Sequence, residues 1–276
     1  MNLSVSIWSV HKEVKEGRMS NIDFIKFCHE HKVNNVELID FFIKDEELDV
    51  IKNTLAELNM NISSFSIGND FVERDASMRE RQIEYMKTSI DKASKVGAKY
   101  MRVFSGNVKE GIEYEEGKAW IKECFKEVVP YAKEKGVIMV LENHGLFMGK
   151  SGQVKELLEK INSPYLKANP DVGNFLLANE NSYDAVVNLK DLISFVHFKD
   201  FQEVGRDEYG YEALDGRKYM GTVLGEGEVP MEKIVRYLKE IGYKGYLSIE
   251  FEGPGDQKEG TVKSIEFSKK ILENIL

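Results

Sequence analysis

Thiols are nearly missing from this chain: Cys28 and Cys124 are the two cysteines in 276 residues. Both fall in helix-like segments beside Phe24, Phe27 and Phe125. That argues against a disulfide framework or a cysteine-rich zinc site and predicts buried free thiols in a reducing compartment. Positive charge is also short, with 38 Lys and Arg against 47 Asp and Glu and a formal net charge of -9. A phosphate-backbone partner such as DNA is therefore disfavoured, because no basic surplus is available to displace counterions. A small anionic substrate met by a few local cations stays open. Long apolar runs are missing as well. No stretch approaches the ~20 residues needed to span a bilayer, and Met-Asn-Leu-Ser-Val-Ser-Ile-Trp at the start has no basic region followed by an apolar one. The expectation is a cytoplasmic protein with no membrane partner. No Gly-x-Gly-x-x-Gly follows the first strand-like run, which argues against a doubly wound dinucleotide-binding sheet.

What the chain does have is two alternating periodicities. Short runs rich in Val, Ile, Phe and Tyr predict strands over 3–7, 35–38, 61–67, 100–104, 137–141, 166–169, 193–197 and 245–249. Apolar residues at three- and four-residue spacing predict helices over 21–31, 45–58, 78–96, 114–135, 152–161, 183–189, 231–241 and 262–276. Ser20-Asn21-Ile22-Asp23 reads as a capped helix start. Gly97, Gly136 and Gly242 close helices ahead of the next strand, where a left-handed cap costs glycine little. Strict alternation of eight strands with eight helices predicts an α/β fold: a single (β/α)8 TIM barrel domain over 1–276. One connection stands out. Residues 200–230, after the seventh strand, are polar, glycine-rich and weakly periodic, and read as a lid over the catalytic face.

Four of the predicted strands end in an acid or an imidazole: Glu142, Asp171, His197 and Glu250. A strand end that only packs has no use for such groups. In a parallel barrel the carboxyl ends of strands five to eight converge on one mouth. Three carboxylates and one imidazole there make a site for a fairly hard divalent ion, with Mn²⁺, Mg²⁺ or Co²⁺ fitting well and Zn²⁺ also possible.

The motifs that contain these residues are Leu-Glu-Asn-His at 141–144, Asn-Pro-Asp-Val-Gly-Asn at 169–174, Val-His-Phe-Lys-Asp at 196–200, Leu-Gly-Glu-Gly-Glu-Val at 224–229 and Ile-Glu-Phe-Glu-Gly at 249–253. Together they resemble the sugar phosphate isomerase/epimerase group of xylose isomerase-like TIM barrels, within the AP endonuclease 2 superfamily. Asn35-Val36-Glu37-Leu38 and the run from Met101 to Gly106 extend the likeness into the amino-terminal half. The resemblance implies one divalent metal, most often manganese, on Glu142, Asp171, His197 and Glu250. It also implies that Glu142 and Glu250 lie on opposite faces of a bound ketose and move protons. The expected activity is thus a metal-dependent isomerase or epimerase of a ketose or related polyol ketone, working through an enediolate. Its partner is a small carbohydrate, and relatives of this kind often form homo-oligomers.

One position departs from the pattern. Many epimerases of the group carry His three residues after the metal-binding Asp, and here that residue is Asn174. Asn can orient a hydroxyl but cannot shuttle a proton at neutral pH. This keeps a lyase reading alive, either inosose dehydration or cleavage of an oxidised glycoside on the same site. A phosphodiesterase of the endonuclease IV type needs several more histidines than the five present, and two of these, His29 and His31, fall in a predicted helix. A sugar sensor without turnover is a further alternative, opposed by the intact quartet. His144, Asn174, Lys199 and Arg206 are candidate substrate contacts, and Trp8 and Phe65 candidate apolar walls. Arg206, Arg217 and Lys218 in the long connection are candidates for meeting a phosphate. Arg102 needs a buried carboxylate partner, for which Glu37 is the candidate.

Overall fold

In the computed structural model, which describes residues 1–275, the strands are β1 (Asn2–Ser6), β2 (Asn35–Ile39), β3 (Asn61–Ser66), β4 (Tyr100–Val103), β5 (Ile138–Glu142), β6 (Leu166–Asn169), β7 (Phe195–Phe198), β8 (Asp200–Val204), β9 (Tyr211–Glu212), β10 (Lys218–Thr222) and β11 (Tyr246–Ile249). The helices are α1 (His11–Lys15), α2 (Asn21–Glu30), α3 (Leu48–Glu57), α4 (Ala76–Lys95), α5 (Tyr114–Lys135), α6 (Ser151–Ile161), α7 (Asn174–Leu177), α8 (Ser182–Leu189), α9 (Met231–Glu240) and α10 (Gln257–Ile275). Parallel ladders join the strands in the orders β3-β2-β1-β11-β7 and β4-β5-β6. Two thinner seams close the ring. Ile67 N–H donates to the Arg102 carbonyl at 3.0 Å between β3 and β4. Paired residues Ala168 with Ile193 and Asp171 with His197 join β6 to β7. The result is the expected (β/α)8 barrel.

The helices cover the ring because their apolar residues recur on one side. In α9, Met231, Ile234, Val235 and Leu238 are the buried positions, a spacing of three, four and seven. Each such side chain taken from water contributes roughly 1.5–3 kcal/mol. The expected capping box is present: the Ser20 hydroxyl accepts from Asp23 N–H while the Asp23 carboxylate accepts from Ser20 N–H. Tyr100, Phe195 and Tyr246, at or near the starts of their strands, bring their rings within 5.8–6.1 Å of one another. These rings fill the amino-terminal end of the barrel, so the opposite end is where the interior opens.

Two expectations are corrected. The last helix begins at Gln257, five residues ahead of the predicted 262, and its last predicted residue, 276, lies outside the described residues. Gly260 sits inside its first turn for close packing: a Cβ there would stand 2.2 Å from Cζ of Phe251. The second correction is to the 200–230 connection. Its core is a three-stranded antiparallel sheet, β8-β10-β9, in which Lys218–Thr222 pairs with Asp200–Val204.

Asp200 ties this sheet to the barrel. Its buried carboxylate accepts N–H bonds from Phe201, Gly225, Gly227 and Val229 at 2.9–3.1 Å. Asp200→Ala would strand those donors, each costing about 1–3 kcal/mol when buried and unpaired. We expect a loss of at least about 3 kcal/mol by urea unfolding; a loss below about 1 kcal/mol would show that water replaces the carboxylate.

Candidate active site

The four strand-end residues come together. Glu142, Asp171, His197 and Glu250 are all buried, and one donor atom from each lies within 4.8 Å of the others. His197 Nδ1 stands 3.2 Å from Glu142 Oε2 and 3.9 Å from both Asp171 Oδ2 and Glu250 Oε2. Alternation along β5 and β7, and the residues just after β6 and β11, turn these side chains into the barrel mouth.

Three of the four are held by one atom and leave another without an aligned hydrogen bond. Asp171 Oδ1 accepts from Gly173 and Asn174 N–H, whereas Oδ2 accepts no hydrogen bond from any described residue. Glu142 Oε1 accepts from Asn174 Nδ2 at 3.1 Å, and Oε2 is likewise unsatisfied. His197 Nε2 lies 3.1 Å from both oxygens of Glu37, while Nδ1 has no hydrogen-bond partner. Buried polar atoms are rarely left unpaired. These three atoms converge on one another and on Arg102 and Lys199 at 3.1–3.9 Å without an aligned hydrogen bond, and the chemistry of three carboxylates and an imidazole suits a divalent cation. Charge agrees: Glu37, Glu142, Asp171, Glu250 and Glu252 surround the permanent cations Arg102 and Lys199.

These charges set one another's protonation. Burial pushes Glu250 up to about 7, with Glu142 and Glu252 adding to the rise and Lys199 and His197 opposing it. Burial also acts on Glu142, but His197 and Arg102 outweigh it and hold that carboxyl well below the usual range. Burial would lower His197, yet the carboxylates of Glu37, Glu250 and Glu142 hold it well above an ordinary imidazole. A proton and a metal ion therefore compete for Nδ1.

Two carboxylates beyond the quartet matter, one buried and one half-buried. Glu37 accepts from Ser66 Oγ at 2.5 Å and Ser248 Oγ at 2.6 Å while gripping His197, so it fixes the ring orientation. It is not the direct partner of Arg102 that the sequence suggested. Arg102 Nε lies 3.3 Å from Glu142 Oε2 and its Nη1 donates to the Ile67 carbonyl. Glu252 Oε1 accepts from Trp8 Nε1 at 2.5 Å and sits 3.4 Å from Lys199 Nζ. Glu252 shares strand parity with Glu250, and that two-residue spacing is the sequence signal that marks it.

Above the quartet lies a cavity of about 490 Å³, inside the usual ~300–1,000 Å³ for small-molecule sites. His144, Asn174 and Lys199 line it, as does Trp8; the His144 ring stacks on Phe104 at 4.2 Å. Phe65 is fully buried and does not line the cavity. Neither does Arg206, which lies exposed in the turn after β8. Lys199 Nζ approaches Glu250 Oε2 at 2.6 Å and Asp171 Oδ2 at 3.1 Å, so it neutralises the ligands as well as facing the cavity.

The sequence pattern of xylose isomerase-like TIM barrels matches residues 22–271. A putative L-ribulose-5-phosphate 3-epimerase of Haemophilus influenzae is 25% identical over 181 residues, which cover 65% of this chain and 61% of that protein. An inosose dehydratase of Clostridium perfringens is 30% identical over 156 residues, 52% of this chain and 49% of that protein. The chain thus spans half to three fifths of the length of these curated relatives. The solved IOLI protein with a bound zinc atom superposes with a TM-score of 0.82 at 18% identity, covering 100% of this chain and 99% of that one, a likeness of fold.

Proposed function

Because the chain belongs to the xylose isomerase-like TIM barrel family, we propose that it is a divalent-metal-dependent isomerase or epimerase of a ketose or related polyol ketone. The observation that carries this reading is the convergence of one donor atom from each of Glu142, Asp171, His197 and Glu250, all buried and all within 4.8 Å of one another. Those four residues would hold the metal, whose charge offsets the negative charge that grows on the substrate oxygens as a proton leaves the carbon next to the carbonyl. Mn²⁺ is the favoured ion for this donor set, and the zinc atom of the solved relative keeps Zn²⁺ as the alternative.

The chain's own groups supply the rest. Glu142 and Glu250 flank the substrate from opposite faces: the unprotonated one takes a proton from the carbon, and the other, loaded beforehand with a proton from solvent, returns one. Arg102 and Asn174 restrain Glu142, and Lys199 restrains Glu250. His144, stacked on Phe104, orients a hydroxyl. Trp8 and Leu177 give the cavity an apolar wall.

A second reading has a specific observation behind it. Asn174 donates its amide to Glu142 where a proton-carrying histidine would serve an epimerase. The same abstraction followed by expulsion of water would make a dehydratase, the activity named for the Clostridium relative. In D₂O with Mn²⁺, both readings predict deuterium entering a substrate carbon, abolished by chelation and restored by Mn²⁺. NMR of the product separates them, since epimerisation conserves mass and dehydration loses water. Exchange that persists in chelator would sink both.

A further inference from the structure

The cavity above the quartet is poor in positive charge. Lys199 is the one Lys or Arg among the residues that line it, and its ammonium is already shared by Asp171, Glu250 and Glu252 at 2.6–3.4 Å. Glu252 and Glu212 add carboxylates to the wall. Of the cations in the 200–230 connection, Arg206 is exposed and does not line the cavity, and the other two are engaged elsewhere. Arg217 pairs with Asp215 at 2.8 Å and Glu203 at 3.5 Å, and Lys218 Nζ donates to the carbonyls of Arg206 and Glu208. A phosphate ester brought to this wall would meet like charge without the arginine fork or free ammonium that ordinarily receives it.

We propose that the site selects an uncharged polyol ketone over its phosphate ester, with Glu252 as the residue that accepts a substrate hydroxyl and turns away an anion. This rests on the carbohydrate reading above and names its substrate class. Three features of Glu252 support it. Its side chain is 10% exposed and lies on the cavity wall, so it is reachable by a ligand yet largely desolvated. Trp8 Nε1 and Lys199 fix its Oε1. Glu252 follows Glu250 by two residues, so it and the ligand lean the same way from the end of β11. A carboxylate held like this accepts O–H donors and has no proton to offer a phosphate. Specificity against the ester then comes from repulsion as much as from attraction to the hydroxyl.

The test uses the full-length, Mn²⁺-loaded protein and matched probes: D-fructose with fructose 6-phosphate, and D-ribulose with ribulose 5-phosphate. Calorimetric binding is expected to favour the neutral member by on the order of 100-fold in at least one pair. Glu252→Gln keeps an oxygen for Trp8 but removes the charge, and should shrink that ratio by roughly tenfold. A purely structural Glu252 would weaken both members alike and leave the ratio unchanged, which would overturn the assignment. Equal or tighter binding of the phosphate ester in both pairs would overturn the substrate class, as would no binding of any probe. Deuterium exchange in the same samples keeps the two ideas apart. Neutral preference without exchange rejects proton abstraction alone, and exchange confined to the phosphate esters rejects this inference alone.

Discussion

Replacing Glu250 by Gln is expected to lower solvent-deuterium incorporation by roughly 10²–10⁴-fold, the usual contribution of a positioned general base. The amide keeps the shape of the side chain, and its carbonyl can still accept from Lys199 Nζ, now 2.6 Å away. What it loses is basicity and one negative charge. The fold should not suffer. Glu250 sits among Glu142, Asp171 and Glu252, so removing its charge relieves repulsion inside a buried cluster. The thermal midpoint of the metal-free variant should therefore match or exceed that of the parent, while exchange collapses. That opposition separates a catalytic role from a structural one. Exchange within tenfold of the parent, measured by NMR with Mn²⁺ saturating, would remove Glu250 from the proton path.

Glu37 is expected to give the second large effect, through metal affinity. Its two oxygens hold His197 Nε2 and accept from Ser66 and Ser248. Residues that orient a metal-binding histidine in this way typically account for 10–100-fold in metal affinity. Glu37→Gln should weaken Mn²⁺ binding by about that factor in a calorimetric titration, with the fold retained. Glu37→Ala goes further, leaving His197 Nε2 and the Ser248 hydroxyl without their carboxylate partner in a fully buried place, while Ser66 keeps Ser64. Breaking one side of a buried ion pair costs about 3–5 kcal/mol, which urea unfolding would read directly. If Glu37→Gln binds Mn²⁺ as tightly as the parent, the histidine needs no such support.

The barrel was legible because it rests on repeated local signals. Each strand run is followed by an amphipathic helix, and Gly97, Gly136 and Gly242 all adopt the positive φ expected of a helix end. The quartet was legible for a related reason: a charged group where an apolar run stops is visible without knowing its neighbours. Glu37 was harder. A carboxylate inside Val36-Glu37-Leu38-Ile39 announces that it needs a partner, but the partner lies 160 residues away on β7. Arg102 was the nearer guess, and it is drawn instead to Glu142. The small sheet after β7 was hidden by its composition. Gly221 interrupts the alternation of Lys218–Thr222, and that glycine is there because a Cβ would stand 2.6 Å from the Glu252 backbone.

The seam between β6 and β7 has a further meaning. Asp171 and His197 are paired backbone to backbone: Val172 N–H donates to the His197 carbonyl, and His197 N–H to that of Pro170. Two of the four ligands are therefore spaced by main-chain geometry, and side-chain packing plays the lesser part. Parallel strands translate against each other in steps of one residue, and each step turns every side chain to the opposite face. The seam thus works as a gauge block whose setting is all or nothing. Substitutions can vary the loops and walls around it residue by residue. The distance between these two ligands is inherited with the barrel's closure itself.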